Sequence, residues 1–305
     1  MLPKPALILL LFFVSVILFS CEAKQKRKIE SLDEVVVSPP VESKEFDDTR
    51  LENLNLSNQL NDIICQCWDY KADIEALDAE PVESSLDIVL RGYCFFRDGS
   101  MVKNPRGELA LGKWNLDSTQ KPIVLNIQLN NGDKEKFYLA YLMPYRLVLA
   151  DRKEGRKLLT EMSSEAFRHF DDEQDPFYKK NIAWRIKPSS PESTEEIKQR
   201  LKACLHFFTL FYDRHIFSGQ STINFGGLPS CFRWYSGGIY LQKKEILSGQ
   251  WKRCFYNEEQ AMKAYEMADE LLSKKYNWPK NEPNWLGKNV AVLKQMEAKL
   301  DSLSF

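Results

Sequence analysis

"IVLNIQLNNGDKEKFYLAYLMPYRLVLA" occupies residues 123–150. Its hydropathy repeats every second residue. Ile123, Leu125, Ile127 and Leu129 alternate with Val124, Asn126, Gln128 and Asn130, which puts the two sets on opposite faces of a strand. Asn131-Gly132 predicts a two-residue hairpin turn, since both residue types tolerate positive φ. The return strand sets Phe137, Leu139 and Tyr141 against Tyr138, Ala140 and Leu142. Pro144 interrupts it, and Leu147 and Leu149 resume the alternation.

The same grammar extends upstream. "GYCFFRDGSMV" predicts a hairpin about Asp98-Gly99, and "GELALGKWNLD" sets Leu109 and Leu111 against Ala110, Gly112 and Trp114. Many short antiparallel strands joined by tight turns predict a barrel or a sandwich.

The order of these features resembles the lipocalin-like domain common in bacterial lipoproteins. An early Trp68 is followed by Phe95-x-x-Asp98-Gly99, then Gly112-x-Trp114, a long hairpin and Leu147-x-Leu149. The resemblance covers residues 60–152 and implies a small up-and-down barrel. It also implies an interior that either holds a small apolar ligand or is filled by side chains, with Trp114 as a core plug or a ligand contact. "NIAWRIKP" at 181–188 is the expected closing strand.

Downstream the period changes to that of a helix. Ser193 and Glu196 form a capping box, and Ile197, Leu201, Cys204, Leu205, Phe208, Phe211, Tyr212 and His215 fall on one helical face. "STINFGGLPSCFRWYSGGIYL" predicts two short strands with glycine turns. Asn257 and Gln260 open a helix to about Lys275, and a last helix runs from Trp285 to about Leu303. The expected fold class is α+β: an N-terminal antiparallel lipocalin-like barrel, then a mainly helical C-terminal half with a short β insert.

The N-terminal block "FFVSVILFSCEAKQKRK" from Phe12 to Lys28 is too short to span a bilayer comfortably. It matches the apolar core of an export signal, with Lys4 before it. Leu18-Phe19-Ser20-Cys21 resembles the lipobox of bacterial lipoproteins, which implies cleavage before Cys21 and lipidation of that cysteine. Residues 22–54 are polar, Pro-containing and of mixed charge, a composition that buries too little apolar area to fold alone. The expected organisation is a signal at 1–20, a tether at 21–54, a barrel domain at 55–190 and a helical domain at 191–305. A flexible tether of that length reaches about 30 Å. The chain after Cys21 lacks the acidic cluster that accompanies surface display in some lipoprotein families, so the resemblance implies a periplasm-facing protein, with the outer membrane as the expected location.

The 305-residue chain carries a net charge of −1 with neutral histidines, which argues against a nucleic-acid partner. Export permits disulfides among Cys65, Cys67, Cys94, Cys204, Cys231 and Cys254. Complete pairing needs a bridge between halves; without it each half keeps a free thiol. No metal-ligand spacing of the zinc-ribbon kind, Walker loop, G-x-S-x-G or H-E-x-x-H occurs, and no cofactor is expected. Asp213-Arg214-His215 lies on one helix, where adjacent side chains diverge. Arg233, Trp234 and Tyr235 place a cation beside two aromatic rings, the residue types that anchor interfaces. The expected function is that of a membrane-tethered binding or scaffold protein, for a small apolar ligand or an envelope protein, with Arg233, Trp234, Tyr235 and Trp114 as contacts. The alternative is an envelope hydrolase with a site near Asp213, His215 and Arg233.

Overall fold

The computed structural model describes residues 59–74, 90–153, 156–164, 172–218, 227–235 and 238–303. Residues 48–305 form one compact unit, within which both the 55–190 and the 191–305 stretches lie. The fold is α+β. A closed antiparallel barrel has its eight strands in sequential order: β1 (Cys67–Ile74), β2 (Gly92–Phe95), β3 (Ser100–Lys103), β4 (Ala110–Asp117), β5 (Val124–Leu129), β6 (Lys134–Met143), β7 (Arg146–Lys153) and β8 (Arg156–Ser163). A short helix, α1 (Gln59–Ile64), precedes it. After it come α2 (Lys179–Ile182), α3 (Thr194–Ser218), the hairpin β9 (Phe232–Tyr235) and β10 (Gly238–Leu241), and then α4 (Gly249–Arg253), α5 (Glu258–Ser273) and α6 (Trp285–Leu300).

The hairpin that opened the sequence reading forms, with Gln128 opposite Lys134. Its turn differs from the expectation. Gly132 N–H donates to the Leu129 carbonyl at 3.0 Å, and Leu129 N–H donates to the Asp133 carbonyl at 2.8 Å. Gly132 alone takes positive φ, at 97°. The loop is therefore three residues long, closed by a left-handed glycine. Asn131 instead uses its side-chain oxygen to accept from Asp133 N–H at 3.1 Å. The β2–β3 turn repeats this geometry, with Gly99 at φ 77° and its N–H on the Phe96 carbonyl at 3.0 Å.

The barrel closes on β8, not on residues 181–188. Ile182 and Trp184, which suggested a strand by their spacing, instead lie in a short helical run and join the core around α3. The β8 strand carries polar residues shielded from water, with Glu161 buried and Thr160 half-buried. Thr160 donates to Asp73 Oδ1 of β1 at 3.1 Å. Lys71 of β1 and Arg146 of β7 bond Glu161 at 2.8 and 3.1 Å. A buried polar group is tolerated where it has partners, so these three strands can close with polar side chains at the seam.

Two apolar cores result. One fills the barrel and includes Trp68, Phe95, Met101, Trp114, Leu125 and Leu149. The other lies outside the barrel wall, where Cys67, Cys94, Phe96 and Val102 meet α3, α5 and α6. Every residue expected on the apolar face of α3 is buried, and Phe207 and Thr209 are buried too. The capping box is present: Ser193 N–H donates to Glu196 Oε2 at 2.7 Å, and Glu196 N–H donates to Ser193 Oγ at 3.3 Å. Asn257 accepts from Gln260 N–H at 2.9 Å and starts α5. That helix ends at Ser273 and α6 at Leu300, a little short of the expected ends.

Gly112 is a point of close approach between β4 and β5. A Cβ there would lie 2.5 Å from the Gln128 carbonyl oxygen and 3.1 Å from Leu129 Cα. At Gly92 a Cβ would lie 2.5 Å from the Trp68 carbonyl oxygen. Gly112→Ala and Gly92→Ala are each expected to lower stability by about 2 kcal/mol through overpacking against backbone, read from the urea midpoint; an unchanged midpoint contradicts the close approach.

Burial raises the Glu161 carboxyl pKa, but Lys71 and Arg146 outweigh it and hold the group below its ordinary value. A depressed carboxylate stabilises the fold above its unfolded pKa, about 4.3, and the contribution is lost as pH falls through the folded value. Lys71 is half exposed, so the effect is modest. Glu161→Gln should cost about 1 kcal/mol at pH 7, and the difference from wild type should shrink with acid below pH ~4.3. Urea melts across that range check the slope; a difference that does not change with pH refutes it.

Candidate functional site

The barrel interior is the first place to look for a ligand. Trp68 is fully buried, and its indole N–H donates to the Ile64 carbonyl at 2.9 Å. Trp114 is 8% exposed, donates to the Phe96 carbonyl at 3.0 Å and packs on Phe95 with ring centroids 5.3 Å apart. Both indole donors are thus satisfied inside the wall. At the end nearest the β2–β3 turn, α1 inserts Leu60 and Ile64 into the same core. Gln66 anchors that end by donating to the Pro144 carbonyl at 2.8 Å. Toward the other end Tyr93 Oη donates to Glu135 Oε2 at 3.0 Å, and Lys103 ion-pairs with the same carboxylate. Burial, and then the Glu135 charge, push the Tyr93 phenol far up, so it serves as a neutral donor.

The aromatic patch on the second hairpin is only partly described. Arg233 on β9 is exposed and faces Tyr240 across the ladder, which is 51% exposed. The side chains of Trp234 and Tyr235 lie outside the described residues, as do Cys21 and His169. Asp213, His215 and Arg233 do not share a set of neighbours. Asp213 lies 3.6 Å from Lys294 of α6. His215 is buried, with Nδ1 2.7 Å from the Phe211 carbonyl and its ring against Phe211. Arg214, between them in sequence, turns instead to Asp175 at 2.8 Å. The trio diverges as helix geometry requires.

The outward face of β4–β6 carries a groove of 630 Å³. Two rungs of the sheet form its floor. Lys113, Gln128 and Lys134 align on one, and Asn115, Asn126 and Lys136 on the next. Asn126 donates to Asn115 Oδ1 at 3.1 Å. Alternation sets Asn126 and Gln128 on the face of β5 opposite Leu125 and Ile127. It could not show which residues of β4 and β6 they line up with, because register is set by the pairing of three strands.

The cysteines divide unevenly. Cys67 and Cys94, opposite each other on β1 and β2, form a disulfide in the core under α3. Cys65, Cys204, Cys231 and Cys254 are free, so a bridge between halves is absent among the described residues. Burial pushes the thiol of Cys65 up to about 12 and that of Cys254 up to about 11, and raises Cys204 and Cys231 well above the ordinary value. No group of residues that could hold a metal occurs among the described residues. Comparison with protein families, curated proteins and solved structures returns no match.

Thiolate is the reactive form of cysteine, so iodoacetamide at pH 8 should leave Cys65, Cys204, Cys231 and Cys254 unmodified in the native protein. All four should label after denaturation, and Cys67 and Cys94 only after reduction. Rapid native labelling of Cys204, Cys231 or Cys254 contradicts their burial. Opening the Cys67–Cys94 bond should lower stability by about 3.5 kcal/mol, from the chain entropy of a loop of this length.

Proposed function

We propose that the chain is a lipid-anchored lipoprotein of the cell envelope that acts by binding. Cys21 is its acylated residue, the segment to about residue 54 its tether, and the lipocalin-like barrel with its helices the folded body. The outer membrane, on its periplasmic side, is the proposed location. Of the two partner classes the sequence suggested, an envelope protein fits better than a small apolar ligand. The observation that carries this is the filled barrel. Trp68 and Leu125 are fully buried, Phe95 and Met101 are 1% exposed, and α1 contributes Leu60 and Ile64 to the same interior. Ligand-binding barrels keep a cavity for their ligand, whereas this interior is occupied by its own side chains. Arg233 and Tyr240, exposed side by side, are the residue types that anchor protein interfaces.

Fatty-acid labelling of growing cells tests the anchor: wild type should take up label and Cys21→Ala should not. An environment-sensitive hydrophobic dye tests the partner class. The folded protein should give no fluorescence rise, and a saturable rise with quenching of the buried tryptophans would return the small apolar ligand to first place.

A further inference from the structure

The groove on β4–β6 is floored by two rungs of polar residues that lie outside the barrel core. Lys113, Gln128, Lys134 and Lys136 are exposed, as is Asn115, with Asn126 half-buried between them. The acids in its lining are Asp98 and Glu135, and both are engaged elsewhere. Asp98 pairs with Lys179 and accepts from Tyr178 Oη at 3.1 Å and from Ser100 N–H at 2.8 Å. Glu135 is held by Lys103 and Tyr93. The two rungs themselves hold three cations, three amides and no carboxylate. Lys113 and Lys134 stand two strands apart, about 9.6 Å. Lys136 lies near Asp117 and 5.8 Å from the Tyr138 ring centroid. Lys113 and Lys134 share a rung that holds no acid, and a ligand of opposite charge relieves their repulsion.

We propose that this groove binds an acidic polysaccharide, a chain of uronic-acid sugars laid across the two rungs. The lysines meet its carboxylates through charge-assisted hydrogen bonds. Asn115, Asn126 and Gln128 offer both donors and acceptors, which suits sugar hydroxyls that also donate and accept. The volume falls in the range of ligand sites, and its floor is two adjacent rungs of the outer sheet face, which present polar groups in rows to an extended chain. Single-stranded nucleic acid fits less well, because such sites stack bases on exposed aromatic rings. The aromatic ring in the lining, Trp114, is buried. This site is independent of how the chain is anchored and of what the β9–β10 hairpin meets.

Calorimetric titration of the full chain, purified in a non-ionic detergent, with oligogalacturonate tests the proposal. Poly-L-glutamate and single-stranded DNA of matched charge serve as comparison ligands. Oligogalacturonate should bind most tightly and weaken with added salt. The Lys113→Gln, Lys134→Gln, Lys136→Gln triple variant should lose about tenfold or more in affinity. Gln128→Ala should weaken oligogalacturonate while leaving poly-L-glutamate unchanged. Circular dichroism and the urea midpoint identify variants that keep the fold, which these surface positions should allow. Absence of oligogalacturonate binding, or binding indifferent to the triple variant, overturns the site. Equal affinity for poly-L-glutamate or DNA overturns the carbohydrate assignment.

Discussion

A buried guanidinium holds the barrel to its helices. Arg185 lies at the end of the short helical run after α2 and is 8% exposed. It bonds the Pro105 carbonyl and donates to the Gly107 carbonyl at 2.7 Å. Burial lowers its pKa to about 10, which leaves it charged at neutral pH. A desolvated charge is costly unless it is hydrogen-bonded, so the β3–β4 loop must sit where its carbonyls meet this fork. Beside it, Arg106 reaches Asp69 of β1 at 3.7 Å and lies over the Phe211 ring of α3. Gly227 approaches the same loop, since a Cβ there would fall 2.0 Å from the Arg106 carbonyl oxygen.

The remaining packing follows from this fixed contact. With the β3–β4 loop held, the outer wall of β1–β3 lies against α3, and the Cys67–Cys94 bridge is buried in that interface. A barrel of this size can present its outer wall to water. Here part of the wall is apolar and covered, so the core outside the barrel is built by wall and helices together. The α3 helix, buried on more than one side, is then the common support of both. The groove on β4–β6 borders this packing at Asp98, which bonds Tyr178 and Lys179, while Lys113, Gln128, Lys134 and Lys136 stay exposed on the outer wall.

Legibility in the sequence followed the range of the interaction concerned. The hairpins of β2–β3 and β5–β6, the capping box at Ser193 and the Asn257 cap all formed where local chemistry placed them. The Asn131-Gly132 turn kept its position and changed its type, because one left-handed glycine is enough when the loop has a third residue. The closing strand is β8 rather than residues 181–188, and its polar Thr160 and Glu161 are accommodated only through partners on β1 and β7 that lie far away in sequence. Trp114 reads in sequence as either plug or ligand contact, and the fold brings it into one core with Phe95 and with Leu60 and Ile64 of α1.

The sequence by itself determined the alternating strands, the tight turns, the helix starts and the divergence of Asp213, Arg214 and His215, because each depends on a few neighbouring residues. Tertiary structure alone decided which strand closes the barrel, which cysteines pair, how Arg185 is satisfied and which polar side chains of β4, β5 and β6 share a rung. Those outcomes join residues far apart in the chain. They are set by register, burial and the need to satisfy every buried polar group, and no local pattern carries that information.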